Sequence, residues 1–441
     1  MARTDRMGAR CVVVGGGLAG LAAGLRLREA GHEVALLEAG ADPGGRTRTT
    51  WHRGRPVARG FQVTFAGYRE TRRFARAAGV PKRDLRPMSG GAVFVGPDGA
   101  RPFPHSPTAL ARFEGLVRAD RCRLAKLGAE VLRGDPASRL GAGSDEWTTE
   151  EFLRGRGFGE EALDRFFRPF FGNVFLDHSL SADAGYFRFL LASMARGPAV
   201  IPSDGQGMLA DWACAALGQR GGDVALGSTV EALELDGRGE RIVAARTADG
   251  DTIEGDWFVL AVDPQAARRL LEPLDDASAA RVPAEPASVV TASFALSQPL
   301  YRGRAVLVNT AARPTDGPHV DVLCQTTNTI RPGSPAGTHI VLAGCVTTDG
   351  RSGEGLAGVV ERQVAEWAPR FAWSEHAEPI EIVEYSWAQY RPLPGVRSSL
   401  PGPRTAVHNL LLAGDITTHP SVEGAVASGH RAASIIDALV P

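Results

Sequence analysis

The run Gly15-Gly16-Gly17-Leu18-Ala19-Gly20 satisfies the spacing G-x-G-x-x-G. That spacing serves the binding of a pyrophosphate: Gly15 permits a tight turn, Gly17 lets the backbone approach the anion, and Gly20 lets a helix pack closely on a strand. A helix starting here faces the anion with free N–H groups and a partial positive charge. Glu38, followed by Ala39, stands eighteen residues after Gly20. A carboxylate at that place can accept both ribose hydroxyls of an adenosine and would repel a 2′-phosphate. Gly44 and Gly45 precede Arg46, so two flexible residues deliver a guanidinium toward the same anion. Far downstream, in LLLAGDITTHPSVEGAVASG, Gly414-Asp415 ends an apolar run and a helix begins near Val422. Asp415 could bind a cofactor hydroxyl, and the helix N-terminus could stabilise negative charge on the cofactor.

These residues need particular elements to hold them. Residues 10–14 (RCVVV) read as a buried strand, 18–30 (LAGLAAGLRLREA) as a helix stopped by Gly31, and EVALLEA from Glu33 as a second strand. Together they make a β-α-β unit. The stretch from Gly67 to Pro202 reads as mostly helical, with a Ser106 cap before Pro107, a Thr148/Glu151 capping box, a Gly/Ser/Asp/Pro loop near 134–145, and β-pattern only at 91–95. Strand patterns at 229–235, 241–247, DTIEGD and 257–262 read as a continuation of the nucleotide sheet. Further strands at 288–296, 319–326, 339–346 and 380–390 imply a second, mixed sheet, and the chain closes on a buried strand and a helix.

With 441 residues, 44% hydrophobic and 22% charged, the chain has the composition of a folded protein of two or three units, and no apolar run approaches the length of a membrane span. The 49 basic and 50 acidic residues are interleaved, which excludes a nucleic-acid stripe. Five scattered cysteines exclude a disulfide framework, no Cys-x-x-Cys pair suggests a metal, and a reducing cytoplasm is the expected compartment. Arg3, Arg6 and Arg10 precede an apolar stretch, but six glycines from Gly15 to Gly31 spoil a signal peptide.

The start GGGLAGLAAGLRLREAGHEVALLEAGADPGGRTRT and the end LLLAGDITTHPSVEGAVASGHRAA together resemble the flavin amine oxidase and phytoene desaturase superfamily. The resemblance implies an α/β protein with a Rossmann-like FAD domain built from discontinuous segments, here 1–66, 203–265 and 404–441, and an inserted substrate domain of mixed sheet and helices, 67–202 and 266–403. It implies non-covalent FAD. Gly15, Gly17, Gly20 and Glu38 would then hold the ADP moiety, and Gly45 and Arg46 the loop toward the flavin. Gly60, Phe61 and Gln62 would lie near the ring, and Val230 would meet the adenine through its backbone. Gly414, Asp415, Val422 and Ala425 would complete the pyrophosphate and isoalloxazine contacts.

Flavin chemistry needs no protein base, because the ring accepts a hydride once a C–H bond is held near N5 in a dry pocket. No lysine follows Lys126, and Ser421 stands where amine oxidases of the superfamily often carry an aromatic residue, so the sequence departs from them. RFFRPFFGNVFL (165–176) could form the mouth of an apolar tunnel, rest on a membrane, or pack in the core. Tyr385 and Trp387, on one face of a strand with Tyr390 on the other, could position a planar substrate or be ordinary packing. With Gln62 and His419 they are the catalytic candidates. The first expectation is a desaturase or dehydrogenase of a largely apolar substrate, with dioxygen or a quinone as acceptor and peripheral membrane contact. The alternative is an amine or amino-acid oxidase releasing hydrogen peroxide. A non-redox flavin isomerase and a prenyl-binding protein stand behind both.

Overall fold

The computed structural model describes residues 8–440 except 89, 141–145, 315–316 and 331–337. Arg3 and Arg6, and part of the loop expected at 134–145, lie outside the described residues.

β-branched and leucine-rich runs form a parallel sheet of five strands, buried on both faces as such sheets are. Its order is Asp223–Leu226, Glu33–Glu38, Arg10–Val14, Trp257–Leu260, Leu410–Leu412. The helix Leu18–Ala30 follows the central strand and ends on Gly31, whose φ of 97° is the left-handed conformation glycine adopts freely. The last helix, Val422–Leu439, packs against it. A Cβ on Gly429 would lie 2.0 Å from the Ala19 carbonyl oxygen, so the two helices meet backbone to backbone.

A seven-stranded mixed sheet forms the second layer, in the order Ala377–Tyr390, Pro286–Leu296, His339–Val346, Val322–Gln325, Val306–Asn309, Ala92–Gly96, Gly99–Pro102. Only the pairing of Val306–Asn309 with Ala92–Gly96 is parallel. Helices from Arg118–Val131 to Ala184–Ala195 enclose an aromatic core in which Phe166, Phe167, Phe171, Phe175 and Phe187 are fully buried.

Three expectations change. The strands Val230–Leu235, Ile242–Thr247 and Thr252–Glu254 form their own antiparallel sheet, and only Trp257–Leu260 joins the nucleotide sheet. Their alternating exposed positions suit a one-faced hairpin sheet better than a doubly covered parallel one. The region 67–202 also contains Leu85–Pro87, Gly99–Pro102 and Ala199–Pro202, strands of three or four residues too short to show a period. Asp223–Leu226, at the sheet edge beside Glu33–Glu38, follows a helix directly and escapes the pattern for the same reason.

Candidate active site

The first helix begins at Leu18 with Gly17 as its N-cap and no side-chain cap, so its first-turn N–H groups are left for another acceptor. A Cβ built on Gly17 would meet nothing within 4 Å. Gly15, at φ 107°, has no such room: its Cβ would come within 2.4 Å of the Ala261 carbonyl oxygen. At Gly20 a Cβ would lie 1.9 Å from the Gly15 carbonyl oxygen, which is the close packing the glycine pattern implies.

Glu38 ends its strand at the mouth of this loop. Its Oε2 accepts from the Gly16 N–H (2.6 Å) and its Oε1 from the Gly40 N–H (2.8 Å). A carboxylate has about four acceptor positions, so two backbone donors orient Glu38 and leave capacity for hydroxyls.

Arg46 and Asp415, expected to act separately on the cofactor, are bound to each other. Arg46 donates from Nη1 to Asp415 Oδ2 (2.9 Å), from Nη2 to Oδ1 (2.7 Å), and from Nη1 to the Ala388 carbonyl (3.1 Å). Burial works to lower the guanidinium pKa, but the Asp415 charge and hydrogen bond outweigh it and hold it above its ordinary value. The pair ties the N-terminal loop, the strand Ala377–Tyr390 and the last strand together. Gln62 donates from Nε2 to the Arg46 carbonyl (2.8 Å) and is itself held through its own carbonyl by Gln206 (3.0 Å).

One cavity of about 1140 Å³ joins these residues to the aromatic core. That exceeds the roughly 300–1,000 Å³ usual for one ligand. Gly15, Gly17, Leu18, Ala19, Glu38, Ala39, Gly44, Gly45, Arg46, Gly60, Phe61, Gln62, Val230, Tyr385, Gly414, Asp415, Val422 and Ala425 all line it. Gly16 and Gly20 stand behind the lining and shape it. The cavity then follows Phe61, Tyr68, Tyr186, Phe171 and Leu190 to Phe103, Phe166, Phe170, Leu124 and Leu132. Its charged lining residues, Glu38, Arg46, Arg48, Asp263, Arg269 and Asp415, are all at the glycine-loop end; between Gly60 and Ala199 the described lining contains no Asp, Glu, Lys or Arg.

Two candidates are not brought to the cavity. His419 is 7% exposed, packs on Phe189 at 4.4 Å between ring centroids, and hydrogen-bonds Ser421 through Nδ1 (3.0 Å). Burial and then the Arg397 charge push its pKa down to about 3, so it is a neutral imidazole set behind Ser421, which itself lines the cavity. Trp387 is turned away because the strand alternation breaks: Tyr385 pairs with Val289 and Gln389 with Ala287, so four residues face two, and Tyr385, Ala388 and Gln389 line the cavity instead. Burial raises the Tyr385 pKa against the opposing charges of Arg59 and Arg48, so its phenol stays protonated. Within 165–176, Phe166, Phe170 and Phe171 are cavity wall and Phe167 and Phe175 are core, which removes this segment as a lipid contact.

Sequence reasoning missed Tyr68, Tyr186 and Phe103. Tyr68 follows Gly60, Phe61 and Gln62 within eight residues, whereas Tyr186 and Phe103 reach the cavity only through tertiary packing. Tyr186 donates its hydroxyl to the Pro420 carbonyl (2.6 Å) and Tyr390 to the Thr418 carbonyl (3.1 Å), so two phenols hold the loop before the last helix. Gly414 N–H donates to Ser428 Oγ (2.7 Å), which locks the strand end to that helix.

The donor set fits a dinucleotide: an uncapped helix start beside an open glycine, an oriented carboxylate at the second strand end, and a second helix N-terminus at Ser421–Val422 facing the same space. A hydroxysqualene dehydroxylase of Rhodopseudomonas palustris is 27% identical over 443 residues, covering 96% of this chain and 97% of that protein. An oxidoreductase from Methanosarcina mazei shares the fold with a TM-score of 0.76 at 19% identity, covering 97% of this chain and 100% of that one. Cyclohexylamine oxidase from Brevibacterium oxydans does so with a TM-score of 0.68 at 18% identity, over 98% and 99%. The family model for flavin containing amine oxidoreductase matches residues 18–437. With a match of that span, the chain belongs to the flavin-containing amine oxidoreductase family and is a flavin-dependent oxidoreductase.

Proposed function

We propose that this enzyme binds FAD non-covalently and exchanges a hydride with a carbon of a long, largely apolar substrate of isoprenoid type. The observation that carries this reading is the absence of any Asp, Glu, Lys or Arg from the described cavity lining between Gly60 and Ala199. A cationic amine would enter that half without a counter-charge, whereas a hydrocarbon chain gains roughly 0.8 kcal/mol per buried CH₂. The name of the Rhodopseudomonas palustris relative specifies a hydroxylated squalene that loses its hydroxyl group, and such a molecule has the chemistry this wall accepts.

Gly15, Gly17 and the helix start at Leu18 would hold the pyrophosphate, Glu38 the ribose, and Gly60, Phe61 and Gln62 the ring side. When bound, the flavin would supply hydride transfer at its ring nitrogen N5, passing the electrons on to dioxygen or a quinone if the substrate is oxidised, or drawing them from a reductant if the substrate is reduced. Phe61, Phe171 and Leu190 exclude water and align the chain. The Tyr68 hydroxyl, hydrogen-bonded to Ser421, and the Tyr385 hydroxyl are protonated donors at the cavity wall, able to hold a substrate oxygen.

Anaerobic titration tests the reading. The purified, FAD-loaded protein is mixed in its oxidised form with saturated isoprenoids and in its reduced form with hydroxysqualene, and the visible flavin bands are followed. A redox change with one of these and none with putrescine or cyclohexylamine is expected. Bleaching by the amines, with hydrogen peroxide formed once air is readmitted, would replace this reading by amine oxidation.

A further inference from the structure

The apolar cavity reaches the surface. Ala125 and Ala129, on the helix Arg118–Val131, and Leu132 just after it line the cavity and are also exposed, Leu132 by 51%. At helical spacing these three residues form one stripe. The short helix Pro107–Ala111 contributes Pro107 and Leu110 to the same lining. The described lining here is mostly apolar, with His105 and Ser106 as its polar members, and Val117, 52% exposed, adds a further apolar side chain on the outer surface of the segment.

The charge around this opening is one-sided. Residues 104–133 hold six arginines and lysines against three carboxylates, in a chain of formal net charge -1. Asp120 is paired with Arg123 and Glu130 with Arg156, which leaves Glu114 as the remaining acid of the segment. Arg112, Arg118, Lys126 and Arg133 are exposed, and no ion pair among the described residues engages them.

We infer that this mouth docks on an anionic lipid bilayer, so that a long apolar substrate passes between hydrocarbon and cavity without crossing water. A bilayer matches both features: negative headgroups meet the cations, and the hydrocarbon behind them meets Leu132, Ala129 and the apolar opening. The purpose of the docking rests on the apolar-substrate reading, while the docking itself is measured without substrate.

The holoenzyme carries a convenient reporter, since Cys122 is the exposed cysteine, one turn before Ala125. An environment-sensitive fluorophore on Cys122 should shift to the blue, and the protein should sediment, with phosphatidylcholine vesicles containing phosphatidylglycerol. Both responses should weaken in high salt and with phosphatidylcholine alone. Removing each cation should cost about fivefold in partitioning. The combined variant Arg112→Gln, Arg118→Gln, Lys126→Gln, Arg133→Gln should therefore partition at least a hundredfold less, with its flavin spectrum and its turnover of detergent-dispersed substrate unchanged. If the combined variant loses its flavin spectrum, Lys126→Gln and Arg133→Gln alone should each show the fivefold loss. Equal partitioning of wild type and variants, equal binding to neutral vesicles, or a fluorophore that responds only to a soluble protein overturns the inference. Vesicle binding without turnover of any isoprenoid would instead count against the substrate reading, and turnover in detergent without vesicle binding would count against the docking alone.

Discussion

Glu38 and Arg46 lie eight residues apart in sequence and have different work. Glu38 is oriented by two backbone donors and has acceptor capacity to spare, so Glu38→Ala should lose at least about tenfold in FAD affinity, measured by equilibrium titration of the apoprotein, which matches the charge-assisted hydrogen bonds removed. Retention of full affinity would show that the ribose lies elsewhere. Arg46 is committed to Asp415, which is 5% exposed. Arg46→Ala strands that carboxylate, and the expected cost is about 3 kcal/mol, the lower end for a broken buried pair because the arginine is partly solvated. Urea unfolding of the apoprotein reads this directly; an unchanged midpoint would mean that the pair contributes nothing to the fold. The glycine loop and Glu38 were legible in sequence because their spacing is local. The Arg46–Asp415 pair was not, because each residue alone fits a cofactor contact and nothing in sequence shows that they meet across 369 positions. The placing of His419 behind the wall, on Phe189 and Ser421, was illegible for a related reason, because burial is not written in residue type.

Elements show the same division between local and distant signals. Thr148 and Glu151 form a reciprocal capping box in the structure, read from a three-residue spacing, and Ser106 caps the helix at Pro107, read from the proline that follows it. The bulge that breaks alternation between Tyr385 and Gln389 was illegible, because a bulge is defined by the neighbouring strand and not by the strand that bulges. The phenylalanines at 166–175 were ambiguous until the helices around them were placed. Gly429 also gave no signal, since a glycine inside a helix pattern normally weakens it. Here it allows the last helix to touch the first at Ala19. Gly429→Ala should force these helices apart at a cost of roughly 1–3 kcal/mol, despite the better helix propensity of alanine. Chemical denaturation compared with Gly358→Ala, at a helical site whose Cβ would meet only the Arg362 side chain at 3.6 Å, separates packing from propensity. Equal effects at both sites would refute the packing argument.

For the whole molecule, buried histidines set the acid limit. His419 titrates at about 3 when folded and near 6.5 when unfolded. Below pH 6.5 the unfolded chain takes up the proton and the native one does not, so stability present above 6.5 is lost as pH falls toward 3, by up to about 1.4 kcal/mol per pH unit. His319, lowered chiefly by burial, adds to the loss in the same direction. Asp321 acts lower down: burial works to raise its pKa, but His178 and Arg313 outweigh that and hold it below the usual carboxylate range, so its contribution is lost only as pH falls through that depressed value. Thermal midpoints measured from pH 7.5 to 4.5 should fall for the wild type and fall less steeply for His419→Gln; parallel curves would remove His419 from the account.

The strand order of the nucleotide sheet fixes when the protein can be finished. Its centre is Arg10–Val14, flanked early by Glu33–Glu38, yet its other neighbour arrives only at Trp257–Leu260 and one edge at Leu410–Leu412. During synthesis on the ribosome, the first β-α-β unit emerges early, with the helix Leu18–Ala30 still lacking the helix that covers it. At about 5–20 residues per second, that apolar surface waits for tens of seconds before residues 422–439 can close over it. Asp415 and the helix Val422–Leu439, which line the same cavity as the glycine loop, arrive in the same late stretch. The cavity cannot close before that stretch has emerged, so the first β-α-β unit stays open to aggregation throughout the interval.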